Sequence, residues 1–141
     1  YNSRLDTIQA AILRLKLKTI HEAIAARARH ADHYTNRLSH LPQLRIPTVS
    51  EGNKGVYYVY NIIAQRRDEL NAYLKEKGIG SSIYYPRPLH IQRCFAYLGY
   101  KEGDFPVAEQ ICKEILALPL YPELTDDEVD YVCDAITEFY Q

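Results

Sequence analysis

The sequence predicts an α+β domain: a short, mostly antiparallel sheet with helices packed on one face, led in by one long helix. Three observations predict it. Residues 5–39 carry one sustained helical repeat of apolar positions. Strand patterns stand at 56–64, 79–85 and 117–120, the first of them rich in β-branched and aromatic residues. Shorter helical patterns fill 68–77, 91–98, 105–115 and 125–140.

In the first of these, Leu5, Ile8, Ile12 and Leu15 form one apolar row, and Leu13, Leu17, Ile20 and Ile24 form a second beside it. Ala25, Ala26, Ala28 and Ala31 add strong helix formers. A continuous helix here would be about 50 Å long at ~1.5 Å per residue. A compact domain of this size has a radius of gyration of only roughly 14 Å. Part of the helix is therefore expected to lie against another domain or subunit. The chain divides accordingly into 1–40, a long helix linking to a larger domain outside it, and 41–141, a small C-terminal α+β domain.

Pro42 and Pro47 bracket an extended piece at 43–46, and 51–55 is a polar turn. The run VYYVYNIIA at 56–64 reads as a strand. The helix at 68–77 stops at Gly78, and a second strand at 79–85 ends before Pro86 and Pro88. Pro106 suits the first turn of the helix at 105–115. A third strand is expected at 117–120. Thr125 and Glu128 have the spacing of a capping box for the last helix.

Composition narrows the function classes. Lys and Arg number 17 against 18 Asp and Glu, too balanced and too dispersed for a nucleic-acid footprint. No apolar run approaches the ~20 residues that span a bilayer, so no membrane partner is expected. Cys94, Cys112 and Cys133 form no CxxC pair, which points to a reducing, cytoplasmic setting without a disulfide framework. The chain has no methionine, and Tyr1 falls directly before a dense pattern. Both lead to the expectation of a piece cut from a longer chain.

Candidate chemistry is sparse. His30 and His33 share a helical face, but no carboxylate or cysteine completes a zinc spacing, so a solvated polar face is expected rather than a metal site. Gly78 to Ser82 lacks the order and spacing of a phosphate loop and reads as helix termination. The sequence places no acid near His90, which weakens a nucleophilic triad. The stretch SIYYPRPLH, with Tyr84, Tyr85, Arg87 and His90 around two rigid prolines, is the best binding candidate. Its guanidinium suits phosphate, and its phenol and imidazole groups suit sugar hydroxyls. The same residues read equally as a surface turn whose tyrosines cover the core. Asn2, Ser3, Arg4 and Asp6 ahead of the long helix read either as a helix cap or as a phosphate grip.

Taken in order, the motifs NSRLDTIQAAIL, VYYVY, GI followed by YPRPLHIQ, PVAE and LALPLYPEL resemble the DegT/DnrJ/EryC1/StrS family of sugar aminotransferases over nearly the whole chain. The resemblance covers only the family's C-terminal part. It implies the small domain of a fold-type I aminotransferase dependent on pyridoxal 5'-phosphate, working as a homodimer with a shared active site. It implies transfer of an amino group, usually from glutamate, to a keto group of a nucleotide-linked deoxysugar. The lysine that holds the cofactor and the aspartate that pairs with its ring nitrogen would lie before Tyr1, so this segment alone should be inert. By resemblance Asn2 and Arg4 approach the cofactor phosphate, and Tyr84, Tyr85, Arg87 and His90 approach the sugar nucleotide. Tyr84 and Tyr58 stand where histidine is frequent in the family. The wording Asn2-Ser3-Arg4-Leu5-Asp6 is closer to members that aminate C3 than to those that aminate C4. Two rivals remain: a dehydratase of the same family, whose lysine is replaced by histidine, and a non-catalytic regulatory homologue.

Overall fold

A computed structural model of the chain describes residues 3–141. Thr7–Lys16 (α1) and Ile20–Leu38 (α2) open the fold, followed by Leu44–Arg45 (β1), Tyr60–Ala64 (β2) and Arg67–Glu76 (α3). Two 3₁₀ turns, Leu89–Ile91 and Arg93–Leu98, precede Pro106–Glu114 (α4), Ile115–Leu118 (β3) and Asp126–Tyr140 (α5).

The expected helix over 5–39 is interrupted. The N–H groups of Lys18 and Thr19 bond three residues back, to Leu15 (3.1 Å) and Lys16 (3.2 Å), which tightens the turn. The Thr19 hydroxyl also donates to the Lys16 carbonyl (3.3 Å), an alternative to the helical ladder that threonine offers. A fresh helix then starts at Ile20.

The 3-stranded sheet has the order β1-β2-β3 and is antiparallel throughout. Leu44 faces Ala64, and Tyr60 faces Leu118. The strand expected at 56–64 begins only at Tyr60, because Tyr57 takes a left-handed conformation (φ 45°) that no extended strand accommodates. The one expected at 79–85 reduces to a single bridge, where Ser82 exchanges N–H and carbonyl with Ala117 (3.1 and 2.7 Å) on the free side of β3.

On β2 the residues Tyr60, Ile62 and Ala64 are buried, while Asn61 and Ile63 are half-buried. The buried face meets α2, α3 and α5, which bring Tyr34, Leu38, Leu70, Leu74, Val129 and Ile136. Tyr34 stacks on Tyr60 with ring centroids 5.1 Å apart, and its hydroxyl donates to the Pro119 carbonyl (3.0 Å). Burial pushes the Tyr60 hydroxyl and the Cys133 thiol each up to about 12, so both stay protonated. Gly78, at φ 76°, closes α3 in the conformation glycine adopts without penalty. Thr125 and Glu128 form the expected capping box.

α4 runs into β3 without a loop. The buried Arg67 guanidinium makes that possible: it donates to the carbonyls of Cys112 (3.2 Å) and Ile115 (3.0 Å) where the helix ends. This pins the C-terminal end of α4, the helix whose first turn carries Glu109.

His30 departs from expectation. It is fully buried against α5, with Asp126 3.7 Å from its Nδ1, because α5 covers the helix face that the sequence leaves open. His33 pairs with Asp130 (2.9 Å) on the same side. Among the described residues no three His, Cys, Asp or Glu side chains gather in a metal-binding group. No described helix is long and apolar enough to cross a membrane.

Candidate active-site loop and its second cavity

After the Ser82 bridge the chain leaves the sheet edge and turns through Pro86 and Pro88. Tyr84, Tyr85, Arg87 and His90 all line one cavity of about 820 Å³, closed on its far side by Phe105 and α4. The structure therefore brings together the whole loop group that the sequence singles out. Tyr84, Tyr85 and Arg87 are exposed, whereas the His90 side chain is 8% accessible.

An unforeseen acid holds His90. Glu109, in the first turn of α4, lies 2.9 Å from the imidazole Nε2. The Glu109 carboxylate also receives N–H groups from Gly103 (2.9 and 3.0 Å) and Phe105 (3.3 Å). Burial raises this carboxyl's proton affinity, but the Gly103, Phe105 and His90 donors outweigh it and hold the group below the ordinary carboxylate range. Glu109 is thus ionised at neutral pH, and His90 must donate from Nε2. The Phe105 ring, 4.8 Å from the imidazole, fixes the other side. The pair spans 19 positions, and only the turn before Pro106 closes that distance. Among the described residues no hydroxyl or thiol bonds His90, so the added acid creates no triad.

Arg4 stands apart. It is exposed just before α1 and lines none of the cavities around the loop among the described residues. The helix start itself is occupied: Ile8 and Gln9 donate their N–H groups to the Asp6 carboxylate (2.9 and 3.3 Å). The Ile8 and Gln9 N–H groups are therefore not free to bind a ligand at this point. Asn2 lies outside the described residues. Among the described residues no lysine lines the loop cavity.

A smaller cavity of about 310 Å³ adjoins the first, with Tyr84 common to both. Arg27 of α2, Tyr58, Ser82 and the end of β3 line it. The sequence gives no sign of this site, since Arg27 sits in an alanine-rich helical run without a motif around it.

The profile of the DegT/DnrJ/EryC1/StrS aminotransferase family matches residues 1–137. The chain belongs to this aminotransferase family. This segment of a DegT/DnrJ/EryC1/StrS aminotransferase is 47% identical over 143 residues to the "Pleiotropic regulatory protein" of Geobacillus stearothermophilus. That match takes in 100% of this chain and 38% of that protein. It is 41% identical to the dTDP-3-amino-3,4,6-trideoxy-alpha-D-glucose transaminase of Micromonospora megalomicea, covering 98% of this chain and 38% of that one. Its fold superposes on the X-ray structure of DesV from S. venezuelae with a TM-score of 0.96 at 33% identity, covering 99% of this chain and 38% of DesV. The chain thus spans about 38% of the length of the relatives it matches.

Proposed function

We propose that this chain is the C-terminal part of an aminotransferase that uses pyridoxal 5'-phosphate to transfer an amino group, from glutamate, to a keto group of a nucleotide-diphosphate-linked deoxysugar. The observation that carries the reading is the single cavity shared by Tyr84, Tyr85, Arg87 and His90. Its volume suits a large ligand, and its polar groups suit a sugar nucleotide: a guanidinium for diphosphate, and phenols and an imidazole for sugar hydroxyls. Glu109 keeps His90 in one tautomer and one orientation, so the imidazole meets the ligand without first losing rotamer freedom.

The cofactor, when bound, supplies the electron sink that lets an amino group leave one carbon and join another. This chain's share in holding it falls to Arg4 and Asn2, which grip its phosphate in a neighbouring subunit. That the chain spans about 38% of its relatives' length supports an attachment lysine elsewhere in the protein, so the segment by itself is inactive. The exposed Ile8, Ile12, Leu15 and Leu17 support a homodimer with a shared site, α1 and the start of α2 linking to the larger domain. The Micromonospora relative, a 3-amino-sugar transaminase by name, supports C3 as the carbon aminated. Free cysteines support a cytoplasmic setting.

A second reading has one specific observation behind it, the regulatory name of the Geobacillus relative. One experiment separates the two. The full-length protein, purified with pyridoxal phosphate, is expected to show the visible absorbance of protein-bound pyridoxal and to lose it on adding glutamate. A protein that neither retains the cofactor nor responds to glutamate is a regulator, and the catalytic reading fails.

A further inference from the structure

The smaller cavity has a composition of its own. Among the described residues Arg27 is the only charged one lining it, and none of them turns a carboxylate to it. The Arg27 Nε is shut off from solvent and has no hydrogen-bond partner among the described residues. Its neighbour Arg29 turns to Asp126 (4.0 Å), whereas Arg27 forms no ion pair with any acid among the described residues. A buried guanidinium nitrogen without an acceptor is costly, and native proteins rarely leave one so.

The nearby backbone does not satisfy it. The Pro119 carbonyl already receives the Tyr34 hydroxyl, and Ser82 and Ala117 exchange their N–H and carbonyl groups with each other. The side-chain groups left facing the space are the guanidinium and the hydroxyls of Tyr58, Ser82 and Tyr84. All can donate, and one carries a full positive charge. Such a set recognises an anionic oxygen ligand, and the arginine fork suits a carboxylate in particular.

Size separates the two cavities. At about 310 Å³ this one sits at the lower end of ligand sites, whereas its neighbour at about 820 Å³ is near the upper end. A nucleotide sugar needs the larger space; a small acid needs only the smaller.

We propose that Arg27, with the hydroxyls around it, forms the carboxylate subsite for the amino donor and for the 2-oxo acid it becomes, with Tyr84 as the wall shared with the sugar-nucleotide cavity. The inference rests on the aminotransferase reading above. Both the arriving amino acid and the departing oxo acid keep their carboxylates, so one fixed cation serves both without touching the sugar.

The test uses the full-length holoenzyme and three probes: glutarate, a dicarboxylate with no amino group to transfer, and the nucleotides UDP and dTDP. Calorimetric titration of Arg27→Gln is expected to show glutarate bound roughly tenfold or more weakly, with nucleotide binding within about twofold of wild type. Arg27→Lys, which keeps the charge and loses the fork, falls between. In the wild type, saturating glutarate should slow phenylglyoxal modification of Arg27, read by peptide mass. Unchanged glutarate affinity in Arg27→Gln overturns the proposal. So does a loss confined to UDP or dTDP, which would assign the cation to a diphosphate. Absence of glutarate protection in the wild type overturns it even where both variants misfold. An enzyme that consumes an amino donor yet binds glutarate independently of Arg27 defeats this inference alone; one that consumes no amino donor defeats the broader reading.

Discussion

α1 and α5 carry the same kind of apolar stripe and meet opposite fates. α5 buries Val129, Val132, Cys133, Ala135 and Ile136, and every one of them is at most 4% exposed. α1 buries none of its residues: Ile8 is 73% exposed, Leu15 64% and Ile12 50%. An exposed apolar surface of this extent marks a contact site. The difference teaches that hydrophobic periodicity reports a helix with a partner but does not say where the partner is. For α5 the partners are α2 and α3 of the same chain. For α1 no partner is found among the described residues.

The comparison can be broken from the α5 side first. Ile136 is fully buried, so Ile136→Ala in the 141-residue chain is expected to cost about 3 kcal/mol, read from a denaturant midpoint at unchanged slope. A loss below about 1 kcal/mol would mean that α5 is no better anchored than α1. Thr125→Ala removes the cap and should cost about 1 kcal/mol. The same cap has a pH signature. The Thr125 N–H and hydroxyl hold Glu128 below its ordinary value of 4.5, so its contribution is complete above that value and fades as pH falls through the folded one. Glu128→Gln should therefore flatten the acid limb of stability against pH while leaving the neutral-to-alkaline limb its shape. The smallest effect belongs to α1: Ile12→Ala in the isolated chain should shift stability by no more than about 0.5 kcal/mol.

The sequence was informative where local chemistry decides. The capping box at Thr125, the Gly78 stop and the helix started by Pro106 all rest on neighbouring residues, and all are present. The loop of Tyr84, Tyr85, Arg87 and His90 was legible for the same reason, since two prolines fix its path. Features made by distant residues were not. Glu109 reaches His90 only because the turn after Gly99 folds back, and His30 is buried only because α5 lies over it. Strand limits also depended on tertiary detail. β3 ends at Leu118, two residues earlier than its apolar pattern, because Pro119 has no N–H for a ladder and its carbonyl is committed to Tyr34. Arg27 stayed hidden because nothing around it in sequence foretells the cavity that four separate segments enclose.

Amide hydrogen exchange measured over Thr7–Lys16 in the isolated chain and in the full-length protein tests the α1 assignment most directly. The account predicts rapid exchange when the segment is alone and protection comparable to α5 once the remainder of the enzyme is present. Equally fast exchange in both would contradict it, leaving α1 without a partner and the shared-site reading without support.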